Sequence, residues 1–212
     1  MNLLPLLTLL VLSVFASSSS PFQLQLQFTT EMSLTQQGAF ENATARWERI
    51  ITGGIVGKVT IHKGDSFCDQ PPANQDTIVN DILIFAAVKP IDGPGGFLGQ
   101  AGPCAFDTKG QIRLGLVTVD SADVRQLEAS EALIAVVTHL VAHVLGFGSE
   151  WGSKGLVSPT QQGTPFLYLG SAGISGQLRI QGTGNPDNTS KVRSGSRFIS
   201  SISIYVLSNS WE

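Results

Sequence analysis

"THLVAHVLGFG", residues Thr138 to Gly148, sets two of the chain's three histidines four positions apart in an otherwise apolar stretch. In an α-helix, residues i and i+4 are offset by ~40° and rise by ~6 Å along the axis, so two imidazoles at this spacing reach a single ion. Taken alone, His139 and His143 admit three readings: a metal site, the remains of one, or two core imidazoles hydrogen-bonded among apolar neighbours. No charged residue lies between Ala132 and Gly148. A helix that is apolar all round is buried, and this one is too short and too rich in histidine to span a membrane.

Upstream, the segment from Asp120 to Gly148 begins with capping residues and ends in glycines, which predicts one central, buried helix. The rest of the chain supplies a sheet to bury it. "QLQLQF" (Gln23 to Phe28) alternates strictly and predicts a strand with Leu24, Leu26 and Phe28 on one face. Phe40, Ala43, Trp47, Ile50 and Ile51 then mark one face of a helix, with Gly53 and Gly54 expected to end it in a left-handed cap. "IVGKVTIH" (Ile55 to His62) reads as a second strand. "DILIFAAV" (Asp81 to Val88) is almost continuously apolar and reads as a strand covered on both faces. "IRLGLVTV" (Ile112 to Val119) supplies another. Between these two, "GPGGFLGQAGPC" is so rich in glycine and proline that it predicts a loop. After Trp151 the chain turns polar and glycine-rich, and "FISSISIYVL" fits either a strand or a helix. The predicted class is α+β, with residues 17–151 forming the main domain and 152–212 a small, irregular C-terminal lobe.

With 212 residues, 42% of them hydrophobic, and a net charge of −3, the chain has ample material for a core. It carries no block of like charge, so neither nucleic acid nor an acidic membrane is an expected partner. The apolar run from Leu3 to Phe15 is followed by small residues, with Val14 and Ala16 suited to a cleavage site. Residues 1–16 therefore read as a signal peptide, too short for an anchor, and the mature chain is expected to be secreted with no membrane span. In an oxidising compartment Cys68 and Cys104 are expected to pair, closing a loop that stabilises by roughly 3–4 kcal/mol. "NAT" at Asn42 and "NTS" at Asn188 are glycosylation sequons. On the helical wheel Asn42 lies away from the apolar stripe.

Four stretches, "ATARWERIITG", "DILIFAAVKPIDGPGGFLGQAGPC", "VTVDSADV" and "HLVAHVLGFGSEW", together resemble the secreted leishmanolysin-like zinc metallopeptidases, a metzincin-type group. They run in that family's order from about Phe40 to Trp151. The resemblance implies a zincin-like fold: a twisted mixed sheet, a backing helix and a buried active-site helix. It also implies that His139 and His143 match the first two zinc ligands of an H-E-x-x-H helix.

The departures from that pattern concern the chemistry. Leu140 stands where the family has the glutamate that polarises zinc-bound water and moves its proton, and leucine does neither. No histidine follows His143, residue 149 is serine, and the only methionines, Met1 and Met32, cannot supply the family's methionine turn. Glu150, Asp187 and Glu212 are carboxylates that zinc would accept, but nothing in their spacing singles one out. His62, at a strand end, reads as a surface residue. The leading expectation is a secreted, catalytically inactive homologue that binds zinc weakly at best and receives a protein or peptide in its residual cleft. Two alternatives stand beside it: an active zinc endopeptidase with a non-standard site, and a truncated product of a peptidase gene.

Overall fold

In the computed structural model, residues 21–157 and 168–171 and the backbone of residues 204–206 are described. The signal segment, Asn188, Asp187, Glu212 and most of the expected C-terminal lobe lie outside the described residues.

The described residues open with β1 (Leu24–Phe28), followed by α1 (Leu34–Ile50). Ser33 starts this helix with a reciprocal capping box. Its hydroxyl accepts from the Gln36 backbone N–H at 3.2 Å, while the Gln36 side chain accepts from the Ser33 N–H at 3.1 Å, which satisfies two otherwise orphaned donors. β2 (Val59–Ile61) and β3 (Thr77–Val79) pair antiparallel as a separate small sheet. β4 (Ile82–Lys89), β5 (Gly99–Phe106) and β6 (Ile112–Asp120) follow, then α2 (Val124–Ala129), α3 (Leu133–Val144) and β7 (Ile204–Val206). The main sheet has the order β1-β4-β6-β5-β7, with β5 antiparallel to β6 and the other pairings parallel. The architecture is α+β around a mixed sheet, as expected.

Period-two alternation along β4 sorts its side chains between two cores. Ile82, Ile84 and Ala86 join Phe40, Ala43, Val117, Val137, Leu140 and Val144 on the helix-covered face. Leu83 and Phe85 join Ile61, Val79 and Leu114 on the other face, under the small sheet. Here Cys68 and Cys104 are bonded, with Cα atoms 5.5 Å apart. Buried Arg113 ties the same region together by pairing with Asp107 at 3.1 Å and donating to the carbonyls of Asn80 and Val56.

Four sequence expectations need correction. "GQAGPCAF" is strand β5 and not loop. Its glycine is what the strand requires: a Cβ on Gly99 would lie 2.6 Å from the Thr118 carbonyl and 2.7 Å from Leu140 Cδ1. Pro103 sits beside a register shift, where proline's missing N–H is tolerated. The helix predicted through Asp120 to Gly148 is two helices, parted where Glu131 adopts φ 56°, a conformation no glycine or proline there announces. α1 ends at Ile50, before its glycines, because Ile51 turns extended (ψ 112°) and packs into the core. The second strand shrinks to Val59–Ile61. The ambiguous "FISSISIYVL" holds strand β7.

The loop between β4 and β5 is held by two buried carboxylates. Asp120 accepts from the N–H groups of Asp92 and Gly93 at 3.1 Å and of Ala122 at 2.8 Å. Asp123 accepts from Gly95 N–H at 2.8 Å. Burial pushes the Asp120 carboxyl up, but the surrounding N–H groups outweigh it and hold its pKa below the usual range.

The sequence separation of 36 across the disulfide sets the size of its effect. Replacing both Cys68 and Cys104 with alanine should lower unfolding free energy by roughly 3–4 kcal/mol, read from the midpoint of urea unfolding. A non-reduced peptide map of the native chain should show the two cysteine peptides linked.

Candidate metal site

The site is built on α3, and the sheet fixes where α3 lies. Leu133, Val136, Val137, Leu140, Val141 and Val144 are buried on it. Leu140 packs on Gly99, and a Cβ on Gly115 would lie 2.3 Å from Val144 Cγ1, so the helix rests directly on β5 and β6 at two side-chain-free points. From the side, α1 braces it: Trp47 Nε1 donates to the Thr138 carbonyl at 2.9 Å, and the Trp47 ring meets Phe147 at 5.4 Å.

His139 and His143 come off the flank of this pinned helix. Their Nε2 atoms are 2.9 Å apart, and the rings meet edge to face at 4.7 Å. His143 Nδ1 lies 2.7 Å from the Phe147 carbonyl oxygen. A carbonyl only accepts, so Nδ1 carries the proton, His143 Nε2 is the acceptor, and His139 Nε2–H donates to it. The carbonyl is delivered by a turn in which Gly146 (φ 96°) and Gly148 (φ 80°) take left-handed backbone. Gly148 also lies against the ring: a Cβ there would sit 3.6 Å from His143 Cε1. Ser149 Oγ donates to the His143 carbonyl at 2.6 Å and ties down the same turn. The two histidines are legible in the sequence, whereas the role of Phe147 went unread. The glycines flanking it were the available signal.

Two nitrogens bound tetrahedrally to one zinc at ~2.0–2.1 Å would lie about 3.3 Å apart, close to the separation found here. The pair therefore has the geometry of half a site. The other half is absent among the described residues, where no group of three His, Cys, Asp or Glu side chains could hold an ion. Glu150, buried beside the helix end, accepts from Ser153 Oγ at 2.6 Å. It lines a separate cavity of about 400 Å³ with Ile112, Leu145, Trp151, Lys154 and Tyr168. His62 is exposed and lies 3.6 Å from Asp76. Leu140 is wholly buried, in the core rather than at an open surface. A catalytic zinc takes three protein ligands and a water, and the described residues do not make up that set.

Burial lowers the pKa of His139 to about 4, with the neighbouring His143 adding to the effect. Burial also lowers that of His143, against the opposing pull of the Phe147 carbonyl. Both rings are thus neutral at pH 7, and the unfolded chain binds their protons more readily than the native one. Stability from this pair is complete above the unfolded value of ~6.5 and falls as pH drops toward 4. The melting temperature should decline between pH 7 and 4.5, before most carboxylates titrate, and His139→Leu should flatten that slope. A slope unchanged by the substitution would show that the pair does not carry it.

A family model of the leishmanolysins matches residues 51–156, from the end of α1 past the His139–His143 helix. A search of curated proteins gives no match. The matched span takes in half of the chain and every strand from β2 to β6, together with the histidine helix, and the chain belongs to the leishmanolysin family of peptidases.

Proposed function

We propose that this protein is a leishmanolysin-family member without peptidase activity, exported from the cell, whose residual cleft binds protein or peptide. The observation that carries the reading is Leu140. It occupies the general-base position and is sealed between α3 and Gly99 of β5. No water-activating group stands there, and no third ligand accompanies His139 and His143 among the described residues. Those two histidines are the remaining ligands of a zincin-like site. They would hold zinc weakly, with two nitrogens in place of the three protein ligands of a catalytic ion. Their mutual hydrogen bond supplies an alternative partner for each ring when no metal is held.

Export rests on the leader-like run Leu3–Phe15, the Cys68–Cys104 bridge and the family itself. No helix among the described residues is long and apolar enough to cross a membrane.

Restoring the missing glutamate is the test. Loss of a general base costs 10²–10⁴-fold in rate, so if only that residue were absent, Leu140→Glu would revive hydrolysis. The expected result is background peptide cleavage with or without added zinc. Stability should fall by roughly 3–5 kcal/mol from burying an uncompensated carboxylate. Chelator-sensitive cleavage by this variant would overturn the reading, and so would cleavage by the native chain.

A further inference from the structure

The sequon Asn42-Ala43-Thr44 lies in the middle of α1, and the helix treats its two functional residues in opposite ways. Asn42 is exposed, and its Nδ2 donates to the Gly38 carbonyl at 2.7 Å. Beside it the surface is open, since a Cβ on Gly38 would meet nothing within 4 Å. Thr44 is only 4% exposed. Its hydroxyl is shared between the carbonyls of Phe40 at 3.2 Å and Glu41 at 3.0 Å, and Ala43 between them is fully buried. A sequon-reading transferase must reach the third residue's hydroxyl as well as the asparagine amide. In the folded helix that hydroxyl is out of reach.

We propose that Asn42 carries an N-linked oligosaccharide acquired before α1 docks, and that folding closes the acceptor site. Asn42 Nδ2 forms a bond to the anomeric carbon of a lipid-pyrophosphate-linked oligosaccharide. The bond from that carbon to the pyrophosphate oxygen breaks, the lipid pyrophosphate leaves with the electron pair, and one amide proton passes to a base. The remaining N–H keeps its donation to Gly38, so the glycan does not disturb the helix.

Synthesis order leaves time for the transfer. Phe40 and Ala43 are buried in one cluster with Val137, Leu140 and Val144 of α3, which emerge about 100 residues after the sequon, or ~5–20 s at ~5–20 residues per second. Until then α1, a helix of 17 residues near the marginal length in water, lacks α3 and has the short strand β1 to rest on, so it samples the extended conformation that the transferase needs.

This inference takes from the proposed function only the export of the chain, and the test separates the two. The full chain is expressed in a eukaryotic secretory line with Asn188→Gln as background, once with its own leader and once behind an unrelated secretion signal. Behind the unrelated signal, Asn42 should carry an endoglycosidase-sensitive mass that Asn42→Gln and Thr44→Val abolish and Thr44→Ser retains. Failure of the own-leader arm alone would refute export and leave the glycan proposal standing. Folded, unglycosylated protein given the transferase and its lipid-linked donor should be modified at least tenfold less than a peptide spanning residues 38–48. A secreted chain bare at Asn42, or a folded chain modified as readily as the peptide, would overturn the proposal.

Discussion

Direct contact between α3 and the sheet is the constraint on which the rest of the structure depends. Gly99 and Gly115 lie under Leu140 and Val144, and at both places a methyl group would collide with the helix. Interiors pack near crystal density and yield little to added volume, so these two positions set the height and phase of α3. Once the phase is fixed, Leu140 is directed into the core and the histidines onto the flank. Leucine at this position is therefore a packing fact first. The side chain now contributes to the core that holds the helix in place.

The same constraint accounts for the state of the histidine pair. Two imidazoles on one flank of a half-buried helix must find partners or pay for their unmet polarity. They find them in each other and in the Phe147 carbonyl. That carbonyl is in reach because the chain reverses through Gly146 and Gly148 directly after the helix. In metal sites a carbonyl accepting from the far ring nitrogen fixes the tautomer that leaves Nε2 free to coordinate. Here the free Nε2 of His143 is taken by its neighbour. The arrangement satisfies both rings while holding their Nε2 atoms 2.9 Å apart.

Legibility in the sequence followed physical locality. The strands β1, β4 and β6 and the body of α1 were readable because alternation and the 3.6-residue period are local consequences of burial. β5 was not. Its glycines and proline contradict strand propensity; the helix lying across Gly99 and the register shift beside Pro103 are tertiary facts that the local sequence does not carry. The break at Glu131 was equally hidden, because a left-handed turn at a charged residue has no local marker. At the site, the spacing of His139 and His143 and the leucine between them were visible in the motif. The sealing of Leu140 and the anchoring of His143 were not, since both depend on residues brought together by tertiary packing.

The sheet also divides the molecule into two halves that are secured by different chemistry. On one face the Cys68–Cys104 bridge joins the small-sheet region to β5 covalently. On the other, α1 and α3 are held by apolar contact and by the Trp47 donation to the Thr138 carbonyl, with the neutral imidazole pair on the flank of α3. A reductant therefore acts on the first face and acid on the second, with the shared strands between them. The two surfaces of one sheet form separately addressable layers, and loosening either one leaves the other its own means of staying closed.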